Sequence, residues 1–457
     1  MTTVQAERRG GRGVLALCLL AAGLGLSGCG GGVDGISDLN PFKREEVPLP
    51  GERRSLLPDR VAAEAAGRAA SVAAPRSVGD WSQAGGGPAN DPGNVAFSGS
   101  FSRAWSSRVG ETSSGGGYGF GGPGQRMAAR PVVSGGVAFV YSPNAVVTAT
   151  SVDGGGRLWR RSVAAEGESA VVSGGGVAVS SGRVVASTGY GTVVALDAAS
   201  GSQLWSAKLD APARTAPAIA GNRVYVVSRT NSVTALDLAS GAVAWTIETS
   251  GASAGLLSST SPAVVGDTVF VPTSTGDVVA LSAADGSQKW TVSVAGGSRS
   301  LAVAGLGDAS ASPVVSDGVL YGTGVGGRIV AARAASGERI WDRTVGSAHT
   351  PVVSGGSLFL VDLDGRAMAL DRQNGQILWA SPLPPAPDAK RTTWAGPLLA
   401  GGKLLFVSVD GRLAVVDAAR GTIEQVTSIG VEGVLSPVAS GGTILVLGGN
   451  GTMLALR

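Results

Sequence analysis

The sequence predicts an all-β chain: an eight-bladed β-propeller of four-stranded antiparallel blades, the last blade closed by an N-terminal strand. Three observations predict it. Near-identical stretches recur at 131–163, 171–209, 216–248, 261–294, 312–345, 350–383, 396–429 and 436–457, a spacing that suits propeller blades. A glycine stands four residues before a tryptophan in copy after copy: Gly155 and Trp159, Gly201 and Trp205, Gly241 and Trp245, Gly286 and Trp290, Gly337 and Trp341, Gly375 and Trp379. The last copy stops a strand short at Arg457, and the missing Trp-bearing piece is found near the start, in Ser102-Arg103-Ala104-Trp105-Ser106-Ser107-Arg108-Val109. An array completed by its own N-terminus is a closed ring.

Each copy opens with a short apolar run after Pro or Ala, as in Ser312-Pro313-Val314-Val315. Turn pairs such as Gly221-Asn222, Asp317-Gly318 and Gly401-Gly402 follow, supplying the positive φ of tight hairpins. A second apolar run meets a second turn, as at Asp364-Gly365 or Asn450-Gly451, and a third run closes on a turn of the Asp-Ala-Ala-Ser-Gly type. Asp197, Asp237, Asp371 and Asp417 begin that turn, where a carboxylate can accept backbone N–H groups. Four short strands joined by three hairpins make one blade. The seventh copy keeps Gly421 but has Gln425 where the tryptophan is due; Phe101 precedes Trp105 in place of a glycine, as expected if that strand arrives without a hairpin. A large ring at one register in seven of the eight copies is read as a wedge between blades, not as a sugar-stacking platform.

Composition agrees. The 457 residues hold 73 Gly, and 44% are hydrophobic but only 5% aromatic, which fits many tight turns between small Val/Ala/Leu strands. No long 3.6-period apolar pattern points to an α/β domain. The formal charge is +3, of which Arg8, Arg9 and Arg12 against Glu7 account for +2 within the first 28 residues, leaving +1 elsewhere. That balance gives no basic patch, and nucleic acid is not an expected partner.

The N-terminus reads as an address. A short basic stretch precedes the apolar run from Val14 to Leu26, too short to span a bilayer comfortably, and Leu26-Ser27-Gly28-Cys29 follows it. This resembles the bacterial lipobox, which implies cleavage before Cys29 and lipidation of its thiol. Cys18 would leave with the signal, so Cys29 would be the only thiol of the mature chain and no internal disulfide could form. A lipidated Cys is an anchor, not a span. The Gly30-Gly31-Gly32-Val33 that follows lacks Asp at the second position, which resembles lipoproteins sent to the outer membrane. The expected organisation is therefore a signal peptide at 1–28, a lipidated Cys and flexible tether at 29–78, and the propeller at 79–457. The alanine-rich stretch 61–74 offers at most a turn or two of helix.

Catalytic chemistry is sparse. His349 is the single histidine, so a His-rich metal site is excluded and a Ser-His-Asp arrangement disfavoured; its setting before a first strand places it at a turn or channel rim. No HExxH, CxxC or EF-hand loop occurs. The glycines of 115–122 neither follow a crossover strand nor open a helix, and read as an insertion.

Repeats such as Asp364-Gly365-Arg366-Ala367-Met368-Ala369-Leu370-Asp371, continuing through Gly375 to Trp379, resemble the pyrroloquinoline-quinone-type propeller repeat. With the lipobox and eight blades, the chain resembles the BamB-type lipoproteins of outer-membrane β-barrel assembly; Gly79-Asp80-Trp81-Ser82-Gln83-Ala84-Gly85-Gly86 resembles their lead-in segment. The resemblance implies a non-enzymatic scaffold without cofactor, lipid-anchored at the periplasmic face of the outer membrane. It implies binding to the periplasmic domains of the central barrel subunit, with unfolded outer-membrane precursors as a further partner. It also implies that two loops, before Pro262 and Pro313, carry the contact. The family's leucine and arginine in the first loop fall on Leu256 and Leu257; its paired acidic positions in the second fall on Asp308 and Ser310, with Arg299 able to supply a charge. Two other readings stand beside this one: a periplasmic peptide- or glycan-binding propeller, and a quinoprotein dehydrogenase. The latter needs cations, carboxylates and typically adjacent cysteines around a central pocket.

Overall fold

The computed structural model describes residues 61, 64–110, 126–164, 174–249, 260–296, 309–387, 389 and 391–457. Their strands form eight four-stranded antiparallel sheets, each a meander in chain order except the last, which takes its outermost strand from Arg103–Arg108. Blades 1 to 7 span 132–162, 175–208, 218–248, 263–293, 314–343, 352–382 and 394–428, and blade 8 combines 438–456 with 103–108. Every expected copy corresponds to one blade. The inner three strands are almost wholly buried, as in Ser232–Asp237 of blade 3, whereas in the fourth, Val243–Glu248, only Trp245 and Ile247 are partly buried. A blade thus buries both faces of its inner strands against its neighbours, which is why Val, Ala and Leu run there without polar interruption.

The tryptophan register has a definite geometry. Trp159, Trp205, Trp245, Trp290, Trp341 and Trp379 each face an alanine of the third strand and follow a bulge. Trp105 faces Ala455 in the same way, so the N-terminal strand closes blade 8 in the common register. Each ring lies over the repeat glycine of the next blade: a methyl group at Gly155, Gly201, Gly241, Gly286, Gly337, Gly375 or Gly421 would meet the preceding blade's indole at 2.5–2.7 Å. Those glycines also have φ of +70° to +77°. In six of the seven, all but Trp290, the indole N–H then donates to a carbonyl of that next blade, as from Trp105 to Val152 at 2.8 Å, Trp159 to Ala198 at 2.9 Å and Trp341 to Arg372 at 2.9 Å. Glycine and tryptophan are therefore two halves of an inter-blade contact.

That geometry explains both exceptions together. Gly421 persists in blade 7 because it seats Trp379 of blade 6. Gln425 is exposed because the next blade, the eighth, has Phe101 where the glycine would lie. The seam between blades 7 and 8 is held instead by the chain crossing it: Val95 N–H donates to Leu399, Gly401 N–H donates to Val95, and Phe97 stacks on Phe101 at 4.8 Å. Phe101 has φ of +58°, and Arg457 and Ser102 exchange backbone hydrogen bonds of 3.0 Å. This imitates the hairpin of the other blades across a chain end; no hairpin is needed, but its left-handed residue is kept.

One segment departs from expectation. Residues 66–78, read from sequence as tether, lie on the propeller. Ala66 and Arg68 donate to Ile377 and Leu378 of blade 6, Ala70 donates to Ala419 of blade 7, and Ala73 N–H donates to Ser354 Oγ. Alanine-rich chain docks here because its small side chains let its backbone reach groups that the blades leave unpaired. Of the helical turns allowed for 61–74, the described residues contain one helical hydrogen bond, from Ala65 to Val61.

Candidate functional site: the loop face and the blind channel

The connection from each blade to the next leaves on one face of the ring, and two of them carry the expected partner loops. Leu256, Leu257, Arg299 and Asp308 lie outside the described residues, as do Cys29 and the glycines of 115–122. The roots of the two loops are described. Ser261 N–H donates to Ser312 Oγ at 3.0 Å, so the chain leaving the first loop is bonded to the chain leaving the second. Ala309 N–H donates to Thr273 of blade 4 at 3.2 Å, tying the second root to the blade that the first loop enters. Ser310, aligned with the family's second acidic position, is buried at 4% exposure and its Oγ accepts from Val325 N–H, a structural role.

The opposite end of the channel is closed by the lead-in segment. Short inner strands present unpaired edges toward the ring axis, and 78–95 meets them one after another. Trp81 exchanges two hydrogen bonds with Val133 of blade 1, Ser82 accepts from Val179 of blade 2, and Gln83 pairs through its amide with Ile219 of blade 3. Pro88 and Ala89 accept from Val264 and Val315 of blades 4 and 5. Val95 serves blade 7, and Val78 accepts from Gly441 of blade 8. With Ser71 and Ala73 bonded to Ser357 and Ser354 of blade 6, residues 71–95 reach all eight blades. Asn90 is the centre: fully buried, at φ +55°, its Nδ2 donates to Pro313 at 3.0 Å and its Oδ1 accepts from Ser261 Oγ at 3.1 Å. This plug makes the channel blind.

The open end holds a cavity of about 280 Å³ lined by Arg126, Met127, Ala128, Arg130, Ser310, Ala348, His349, Thr350, Val434, Leu435 and Ser436. Ala348 and His349 also line a second cavity of about 150 Å³ beside Asp362 and Arg391. Arg130 is buried and donates to Ala84 of the plug at 3.2 Å and to Ser436 Oγ at 3.1 Å. Desolvation lowers its pKa to about 10, which leaves it cationic at neutral pH. His349 is lowered to about 4 by burial and then by the charge of Arg130, so it is neutral there. Asp362 accepts from Arg366 Nε at 2.7 Å; burial raises its carboxyl above the usual range.

The sequence placed His349 at a channel rim and overlooked Arg130. A signal existed. Arg130, Ala216, Ser261, Ser312, Thr350, Gly396 and Ser436 all precede the proline that opens a blade, and only one of them is charged. Among the described residues no group of three His, Cys, Asp or Glu side chains is placed to hold a metal, and no helix is long and apolar enough to cross a membrane. The lining of the larger of these two cavities holds arginines, a histidine and hydroxyls and, among the described residues, no carboxylate.

Eight blades with this repeat define the chain as a pyrroloquinoline-quinone-like β-propeller. It belongs to the family described as outer membrane protein assembly factor BamB, whose profile matches residues 143–381. Among solved structures, BamB from Moraxella catarrhalis is similar at 18% identity and a TM-score of 0.65, over 78% of this chain and 99% of that one. The quinohemoprotein alcohol dehydrogenase ADHIIG from Pseudomonas putida HK5 is similar at 15% identity and a TM-score of 0.62, over 83% and 80%. The computationally designed Ika8 protein matches at 15% identity and a TM-score of 0.56, over 73% and 96%. Identities this low show a shared fold. No curated protein matches the sequence as a relative.

Proposed function

We propose that this chain is a non-enzymatic, lipid-anchored periplasmic adaptor of the outer-membrane β-barrel assembly machinery. In this reading residues 1–28 are a signal peptide, Cys29 is lipidated, and a tether from there reaches the ring where Ala66 meets blade 6. The loops before Pro262 and Pro313 bind the periplasmic domains of the central barrel subunit through Leu256, Leu257, Arg299 and Asp308, and unfolded precursors are a second ligand. The observation that carries the reading is the family match over 143–381. The direct bond between the roots of the two loops supports a shared contact. A rigid ring suits the role, because loops on a scaffold that does not deform present their contacts without an ordering cost.

Pull-down from detergent-solubilised envelopes tests it: the barrel subunit should co-purify with the parent protein, and its absence would sink the adaptor reading. Cys29→Ser should release the protein from membranes and lower its mass by the lipid; flotation at unchanged mass would disprove the anchor. The likeness to quinohemoprotein dehydrogenases sustains a second reading. Pyrroloquinoline quinone with calcium should leave the melting temperature unchanged, and a saturable rise would revive it.

A further inference from the structure

We infer that the open end of the channel binds a small organic carboxylate that carries an apolar group. The inference rests on a count of donors and acceptors. Ser310, Thr350 and Ser436 line the cavity and are 3–6% exposed. Each hydroxyl oxygen already accepts from the protein: Ser310 from Val325 N–H, Thr350 from Ser312 N–H, and Ser436 from Arg130 Nη2. None of the three makes a donor bond to the protein among the described residues, so three O–H protons are left to serve the cavity. His349, with no side-chain hydrogen bond to the described residues, adds a neutral ring with one N–H to give. Arg130 and Arg126 supply positive charge, the latter at the rim in a 3.7 Å pair with Glu432.

A wall rich in donors, whose rim carboxylate Glu432 is paired with Arg126, calls for a ligand rich in acceptors. Buried donors left without acceptors are costly, so an anion with several lone pairs satisfies more of them than a neutral molecule does. Met127, Val434 and Leu435 form an apolar side to the same cavity, which has room for a short branched or aromatic side chain beside a carboxylate. The plug ensures that such a ligand enters and leaves by the loop face alone. Two sources share this chemistry: a free carboxylic acid and the C-terminal residue of a polypeptide.

His349, the only histidine, gives an unambiguous probe. Its ring signals would be followed by NMR in the full chain during titration with N-acetyl-leucine, N-acetyl-leucine amide and acetate. The free acid should shift them saturably, with the amide and acetate each weaker by roughly tenfold or more, since one loses the charge-assisted bonds and the other the apolar contact. Ser436→Ala with an unchanged melting temperature should weaken the free acid several-fold. A pentapeptide with a free C-terminal leucine that binds tighter than N-acetyl-leucine would assign the site to chain ends; equal affinity would assign it to free acids. No saturable shift in the parent protein, or equal midpoints for acid and amide, would overturn the inference without recourse to any variant.

Discussion

At the scale of single residues, the repeat glycines serve two ends that substitution can separate. Gly421 has φ of +73° and lies beneath Trp379, whereas Gly442 has φ of +74° with nothing within 4 Å of a would-be side chain. Alanine at Gly442 should cost about 1 kcal/mol through backbone strain alone. Gly421→Ala should cost roughly 1–3 kcal/mol more, because the indole must shift in a packed seam. Chemical denaturation measures both; equal losses would mean that the ring contact contributes nothing. His349 makes a second prediction, in pH. Its folded pKa of about 4 lies below the ordinary 6.5, so below pH 6.5 the unfolded chain takes up a proton that the folded one refuses. Stability should fall as pH drops from about 6.5 to 4, by up to about 3 kcal/mol, and this contribution should level off below that. His349→Gln should flatten the slope in that window, and melting temperatures across it would show an unchanged slope if the imidazole is not buried neutral.

At the scale of elements, the blades were legible and the plug was not, for one physical reason. A blade repeats, so its turns and strands are seen again from copy to copy, the repeat glycine seven times, and the absent last strand could be found at Arg103–Arg108 by its Trp105. The plug occurs once. It meets seven different blades mostly through backbone N–H and C=O groups, which leave no side-chain signature, and its Gly, Pro and Asn residues read as loop. The same holds for 66–78, whose alanines look like linker and act as docked backbone. Gln425 was visible as an exception, but its cause, the absence of a glycine beneath it, needed the neighbour in space. Of the candidate site, His349 was placed correctly by its position before a first strand, whereas Arg130 was passed over as one arginine among many. The plug should matter as much as the closing strand. Deleting 79–95 while keeping 96–109 uncovers inner-strand edges of several blades and should bring aggregation and a large fall in melting temperature; deleting 30–60 should do neither. Asn90→Ala, which strips three carbonyls of a donor and puts alanine at φ +55°, should cost roughly 2–4 kcal/mol. A plug deletion as stable as the parent would reduce the segment to a passive lead-in.

At the scale of the whole molecule, a ring whose channel is plugged from one face has a direction. Strand closure, tryptophan wedges and the plug all serve to hold the roots of the blade-to-blade connections, and two of those roots are bonded to each other between Ser261 and Ser312. A scaffold of this kind does its work through what it presents, and the presented loops are where the adaptor role stands or falls. The direct measurement is the affinity of the full chain for the purified periplasmic domains of the central barrel subunit, for the parent and for Leu256→Asp and Asp308→Arg, with Glu45→Lys as a remote control. The account predicts losses of about 2 kcal/mol or more for each loop variant, with circular dichroism and melting unchanged and the control at parental affinity. Loop variants that bind as well as the parent would contradict it.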